Sequence, residues 1–500
     1  MNATSAMPTS VPKMLDAIVI GGGFGGLGAA LTLAERGQKV CLVERLEYLG
    51  GCAGTFTRKG LRYEAGATLA AGLAPGQLFS RWIAHHQLQV AVEPLDPVVE
   101  VRGPGVRFAV PASREALVAL LQQRNPEKAR EIERFFDLQR HVADALWAVL
   151  DDPALLPPLT LSSLARHSLR VPHYLPLLRW MGQPLQAVLA HCGVASVADL
   201  TLMCDTACQI TVQCRASEAE APIALATLDY WFRGAAHVVG GIGALASQLG
   251  RAIEQSGGEV RMGQPAVGIE RCAAGWQVRL RRETLQAPLL FANLLPDAVA
   301  MLLGDSDELR GPLVRLEKKL KDSWTTCVLY LQLRPPVGCG DGAQHLDLTS
   351  DPKDLAMGRH VFLSVSSAAD AKAPEGLRTA ILSTHVPIQA WLKAAPQEQA
   401  ALVDQVYAQM LQTLADQAPE WRAAVVSYLT GSPRTWQRFT GRPAGKVGGV
   451  PRRAGLHNYL DLGPCRLASG LYLVGDTVFP GQSALATALG GQRAATHALG

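Results

Sequence analysis

The chain has 500 residues, 48% of them hydrophobic and 18% charged, with a formal net charge of +4. That length exceeds one ordinary domain and allows a large core and two lobes. The small positive balance, with no basic run interleaved with aromatics, argues against nucleic acid as a partner. The opening stretch, Met1 to Pro12, is polar and rich in small residues, without the apolar core of a signal segment. No apolar run is long enough to span a bilayer, so the sequence is read as cytoplasmic or peripheral to the inner membrane.

In chain order, the first predicted element is a β-branched strand. Ile18 to Gly28 reads IVIGGGFGGLG, and a helix-like segment, Ala29 to Gly37, follows at once. In a G-x-G-x-x-G turn each glycine has a physical task. Gly21 permits the tight turn, Gly23 lets the backbone approach a pyrophosphate, and Gly26 lets helix and strand pack closely. Phe24 stands between them and is counted with the cofactor-contacting positions. The helix start presents free N–H groups and a positive dipole end to phosphates. A second strand, Val40 to Val43, delivers Glu44, an acid placed to hydrogen-bond a ribose hydroxyl, followed by Arg45.

A second glycine-rich loop, Gly50-Gly51-Cys52-Ala53-Gly54, then favours FAD over a nicotinamide nucleotide, because it can run along a diphosphate and ribityl chain. Gly51 and Cys52 are its candidate contacts. At the far end, Gly470 to Asp476 reads as a short apolar strand closing on Gly475-Asp476. Gly475 allows close approach, and Asp476 can accept a hydrogen bond from a ribityl hydroxyl. The turn Val478-Phe479-Pro480-Gly481-Gln482 leads into a helix over Ser483 to Leu489, whose N-terminus would favour an anionic reduced flavin. Gln482 either contacts the flavin or caps that helix.

Between these ends, Arg114 to Leu121 and Pro126 to Leu150 carry apolar residues at helical spacing. Residues 154 to 200 mix leucines and prolines with Arg166, His167, Arg170, His173 and Arg179. That mixture suits either a segment dipping into a bilayer interface or a helical cap folded over a cavity. Strands are predicted over Thr325 to Leu331, His360 to Val365, Thr379 to Ser383 and Ala423 to Leu429, with a helix from Gln397 to Ala415. Cys204, Cys208 and Cys214 cluster without paired ligand spacing, so they are read as buried reduced thiols and no metal site is assigned. No second Rossmann fingerprint and no nucleophile motif occurs. Arg438, Thr440 and Arg442 precede Gly445 to Gly449; an arginine there either steers a flavin's pyrimidine edge or binds backbone carbonyls at the surface.

The N-terminal block, Phe56 to Gly66, and Val474 to Gln482 resemble the phytoene desaturase, carotenoid isomerase and retinol saturase family of flavoproteins. The run Gly-Asp-x-x-Phe-Pro-Gly-Gln is most similar to the carotenoid isomerase branch. Many desaturases carry arginine where this chain has Cys52. The resemblance extends to Val239 to Ala246, to Gly257 to Val260, and to Phe291 to Pro296, and it implies that Val267 contacts the adenine. It implies an α/β, two-lobed, glutathione-reductase-like Rossmann flavoprotein with a mixed sheet and a helical substrate domain. The FAD-binding lobe would be assembled from residues 14–75, 235–300 and 462–500, and the substrate lobe from 76–234 and 301–461. The implied activity is FAD-dependent oxidoreduction of an apolar polyene or isoprenoid, by desaturation, isomerisation or saturation, with a membrane lipid and an electron acceptor among the partners. The alternatives are an amine-oxidase-type flavoenzyme and a non-catalytic isoprenoid- or lipid-binding protein.

Overall fold

The computed structural model describes residues 13–152, 155–304 and 307–500. The polar opening stretch, Met1 to Pro12, and part of the segment beginning at residue 154 lie outside the described residues.

Six strands form the first sheet, in the order Glu259–Arg261, Val40–Val43, Ala17–Ile20, Leu289–Ala292, Leu471–Leu473 and Cys465–Ala468. All neighbours are parallel except the final pair. Because side chains alternate across a strand, Ala17 and Val19 enter one core while Ile18 and Ile20 enter another on the opposite face. Val40 and Leu42 divide from Cys41 and Val43 in the same way. A sheet buried on both faces explains why these strands read as unbroken apolar runs. The helices Phe24–Glu35, Ile242–Gln255 and Ala484–Leu499 cover one face. The other face is covered by the helices that follow Leu295 and by a small antiparallel sheet containing Gly275–Arg279.

The first and last helices pack unusually close. A Cβ on Gly28 would strike the Ala488 carbonyl, and one on Gly491 would strike the Gly25 carbonyl oxygen. The two ends of the chain are thereby pressed together, and both glycine turns open on the same side of the sheet.

The second sheet has seven strands in the order Val425–Gly431, Trp324–Leu333, Arg378–Pro387, His360–Val365, Gln344–Thr349, Val99–Gly103 and Val106–Val110. Three of its first four strands contain strands expected from the sequence, and the remaining one, Val425–Gly431, overlaps the expected Ala423 to Leu429. The hairpin Val99–Gly103 and Val106–Val110 lies in a stretch read as mainly helical. Its alternation around the turn at Gly105 (φ +74°) is the signal that was passed over. Ala423, expected to open a strand, instead ends the short helix Pro419–Ala423. Helices Arg114–Arg124, Ala129–Asp151, Leu185–Cys192, Ala198–Thr211 and Ala221–Leu228 pack around a separate apolar core. Cys204, Cys208 and Cys214 are buried free thiols in that core, and burial pushes the Cys214 thiol up to about 12.

Leu161–Trp180 is a single helix with Pro172 and Pro176 inside it, opened by a capping box between Thr160 and Ser163. Leu161, Leu169, Leu175 and Leu178 on it are 88%, 80%, 59% and 60% exposed. Among the described residues no helix is long and apolar enough to cross a membrane.

Candidate functional site

The strand Ala17–Ile20 ends in Gly21, whose positive φ of +98° favours glycine. A Cβ there would stand 2.8 Å from the Asn293 carbonyl oxygen, and one on Gly23 would stand 2.8 Å from Asn293 Nδ2. Gly26 has no room for a side chain either, since its Cβ would overlap the Gly21 carbonyl and approach Val19 at 3.3 Å. Gly23 precedes the first helix without a side-chain cap, which leaves that helix's leading N–H groups free to face a ligand. The second glycine loop lies against the first: Gly50 N donates to the Gly22 carbonyl at 2.8 Å, and a Cβ on Gly51 would be 3.4 Å from the Gly23 Cα. The two loops form one narrow trough of backbone.

Glu44 stands at the end of the neighbouring strand, 6% exposed. Its carboxylate accepts from Gly22 N at 2.6 Å and from Leu46 N at 2.8 Å. Burial raises its pKa above the ordinary carboxylate value, against those backbone hydrogen bonds. Arg45 is exposed at the rim and donates to the Arg438 carbonyl at 3.1 Å. Gly475 (φ +110°) closes the trough from the other end of the chain, with Asn293 Oδ1 2.7 Å from where its Cβ would be. Asp476 follows, accepting from Arg442 Nη2 at 2.6 Å. Burial opposes the Arg442 charge, but the carboxylate of Asp476, with that of Asp297, outweighs it and holds the guanidinium above its ordinary pKa. Burial likewise pushes the Cys52 thiol up. Of the three positions weighed near Gly445, Arg442 is the one that meets Asp476. Arg438 is exposed, and Thr440 also borders the cavity.

Gly21, Gly23, Phe24, Glu44, Arg45, Gly51, Cys52, Gly475, Asp476 and Gln482 all border one cavity of about 740 Å³. Gly26 serves helix–strand packing just behind it. Val267 is a correction: it is 45% exposed and does not line the cavity, whose wall there is Gln264, Pro265 and Ala266. The chain turns outward after Ala266, because Val267 N pairs with the Arg279 carbonyl in the hairpin of the small sheet. Gln482 is not the helix cap. Ser483 performs that task, accepting from Ala486 N at 3.0 Å, while Gln482 Nε2 donates to the Ile210 carbonyl at 2.5 Å.

Beyond Asp476 the cavity turns apolar. Trp147, Leu150, Leu156, Ile223 and Phe362 line it, with Tyr230 held by Ser483 Oγ at 2.9 Å. The second sheet contributes Thr326, Val328, His360 and His385 to the opposite wall. His360 is paired with Asp347 at 2.6 Å, whereas burial drives His385 down to about 3, so it faces the cavity as a neutral ring. Asn293, Trp436 and Arg452 are cavity residues that sequence reasoning missed. For Asn293 a signal existed, a polar residue ending an apolar strand beside a glycine turn; for the other two only the fold brings them in.

The trough fits a dinucleotide: three of its backbone positions exclude a Cβ, and a bare helix N-terminus opens on it. Residues 19–85 match the family model of an NAD(P)-binding Rossmann-like domain. The chain is 25% identical over 505 residues to the chloroplastic prolycopene isomerase of Arabidopsis thaliana, covering 96% of this chain and 82% of that one. It is 24% identical to the neurosporene-forming phytoene desaturase of Cereibacter sphaeroides, over 84% of this chain and 82% of the other. A shorter match, 32% identical, covers 37% of this chain and 31% of human all-trans-retinol 13,14-reductase. Near-full-length similarity to proteins of these names supports the phytoene desaturase, carotenoid isomerase and retinol saturase family for this chain. The relatives' names support an enzyme, and the Rossmann-like match supports a dinucleotide in the trough. Among solved structures, an oxidoreductase from Methanosarcina mazei shares this chain's fold with a TM-score of 0.64 and 19% identity, covering 95% of this chain and 98% of that one. Wild-type putrescine oxidase does so with 0.59 and 14%, covering 97% and 99%. These likenesses concern the fold.

Proposed function

We propose that the double-glycine trough holds FAD and that the apolar arm of the same cavity admits a polyene or other extended isoprenoid. The observation that carries this reading is continuity. One cavity runs from the backbone trough at Gly21, Gly23 and Gly51, past Asp476, into a wall built from Trp147, Leu150, Leu156 and Ile223. A hydrocarbon offers no polar handle, so a long apolar channel is the recognition it requires. When bound, the flavin supplies hydride or electron exchange with a double bond. The chain's residues bind, orient and exclude water around it. Glu44 accepts from a ribose hydroxyl, the free N–H groups of the first helix face the pyrophosphate, and the uncommitted Asp476 oxygen receives a ribityl hydroxyl. Arg442 Nη2 holds that carboxylate in place at 2.6 Å.

The amine-oxidase alternative asks for a pair of aromatics flanking the ring beside the last glycine-aspartate turn. Phe479, the aromatic there, lies under Arg493, with the guanidinium carbon 5.2 Å from its centroid. Among the described residues no other ring is recorded against it. The exposed leucine face of Leu161–Trp180, carrying Arg166, Arg170 and Arg179, suits an anionic lipid surface from which such a substrate would enter. Anaerobic mixing of the purified holoprotein with polyenes and with amines tests the reading. Polyene-dependent change in flavin absorbance, or isomer conversion by chromatography, is expected. Bleaching by amines alone would overturn it.

A further inference from the structure

Among the described residues, Arg452 is the enclosed cavity-lining arginine to which no carboxylate is paired; Arg45, on the same cavity, is exposed at the rim. The Arg452 backbone N–H pairs with the Val212 carbonyl at 2.9 Å, and its Nη2 donates to the Pro480 carbonyl at 3.2 Å. Among the described residues no carboxylate pairs with it. The other enclosed cations of this region are matched: Arg442 by Asp476, and Lys446 by Asp297. Arg493, which also lacks a carboxylate, spreads Nη2 over the Pro157 and Leu462 carbonyls, stacks on Phe479 and stays outside the cavity. Burial alone lowers the Arg452 pKa, with no opposing charge to restore it. An enclosed cation without a partner is costly, and the cost is accounted for if the compensating anion arrives with a ligand.

The position says which part of the ligand. Arg452 Nη2 would stand 2.9 Å from a Cβ on Gly481 (φ +116°), so the guanidinium is lodged against the Pro480–Gln482 turn. That turn joins Asp476 to the N-terminus of the last helix, Ala484–Leu499, and Gln482 and Ser483 border the same cavity. A full positive charge and a helix dipole therefore converge just beyond the place assigned to the ribityl chain. Building on the FAD reading above, we propose that Arg452 is the counter-charge for the pyrimidine edge of the reduced flavin, holding it as the anion. In that state the ring would have taken up two electrons, supplied by dithionite in the test below, and one proton from solvent, and Arg452 would offset the net negative charge left on it.

The test is the midpoint potential of the bound flavin, measured against pH by equilibration with a reference dye under dithionite. One proton per two electrons gives a slope of about 30 mV per pH unit near neutrality, and two protons give about 60 mV. The wild-type protein is expected to follow the first. Arg452→Gln should lower the potential by at least about 30 mV, a tenfold loss in preference for the reduced state, and steepen the slope. Arg452→Lys should keep most of the wild-type behaviour. A two-proton slope in the wild type, or an Arg452→Gln holoprotein with unchanged potential, overturns the proposal. So does unchanged potential combined with weakened binding of retinoic acid, which would give the charge to a substrate carboxylate. If Arg452→Gln retains no flavin, the slopes of the wild type and Arg452→Lys still decide. A wild-type protein without visible absorbance, even after reconstitution with FAD, refutes the FAD reading itself and is recognised before any potential is measured.

Discussion

Removing Asp476 tests the site and the fold together. The Asp476 and Arg442 side chains are 19% and 16% exposed and meet at 2.6 Å. Asp476→Ala would strand an enclosed guanidinium, and breaking a buried pair from one side costs about 3–5 kcal/mol. Arg442 keeps a second bond, from Nε to the Lys446 carbonyl at 2.5 Å, which places the loss near the lower end, about 3 kcal/mol. Asp476→Asn preserves an acceptor and should lose about 1–2 kcal/mol. Arg442→Met strands the carboxylate instead, and the double variant should be more stable than the sum of the two losses implies. Urea denaturation of the flavin-free protein measures all four, and equilibrium dialysis of FAD follows the ribityl contact separately. Single losses that add within about 0.5 kcal/mol would show the two groups to be uncoupled, and the account of Arg442 as the guardian of that carboxylate would be wrong.

Glu44→Gln should weaken FAD binding by roughly 1–3 kcal/mol, about 5- to 150-fold in Kd, because an ionised acceptor is lost; wild-type affinity in a fluorescence titration would move the ribose elsewhere. Since the Glu44 pKa is raised by burial, the wild type should begin to release FAD on acidification above the ordinary carboxylate range, and Glu44→Gln should abolish that pH dependence. His345 and His385 are both held down to about 3 by burial. The unfolded chain protonates these rings near 6.5 while the folded one does not, so stability should fall as pH drops from there toward 3, by up to about 1.4 kcal/mol per pH unit for each ring. A flat Tm over that window, or an unchanged slope in His345→Phe, would contradict this. Leu169→Glu with Leu175→Glu should abolish sedimentation with anionic vesicles and leave Tm within about 2 °C, since surface changes are worth under about 0.5 kcal/mol.

What could be seen in the sequence divides along a physical line. The strand, glycine and acid succession from Ile18 to Glu44 is local, and each glycine there is dictated by backbone approach within its own turn. That is why Gly21, Gly23, Gly26 and Glu44 could be named before the fold was known. Cys52 and Asp476 could be named for the same reason, each lying in a short glycine-bearing loop. Their connection through Arg442 could not, because it joins three separate parts of the chain. Val267 falls just past the cavity wall of Gln264, Pro265 and Ala266, because its N–H is drawn to the Arg279 carbonyl, a pairing across the chain that spacing does not show. The buried set of Glu64, His237, Asp370 and Lys372, which ties the first lobe to the second sheet, left no trace in spacing.

The same reasoning explains why Arg452 was passed over. A lone arginine after a proline in a glycine-rich loop has the composition of a solvated turn, and nothing within several residues marks it as enclosed. Its meaning comes from what the fold withholds. The fold supplies carboxylates to Arg442 and Lys446 within a few residues of it, yet supplies none to Arg452. An unpaired charge kept on the cavity wall beside two paired ones is accounted for by a mobile partner, arriving with the cofactor's electrons and leaving with them. Among the enclosed cations of this cavity the one without a carboxylate then stands at the turn where the last helix begins, and that placement separates the end that handles charge from the end that handles the substrate.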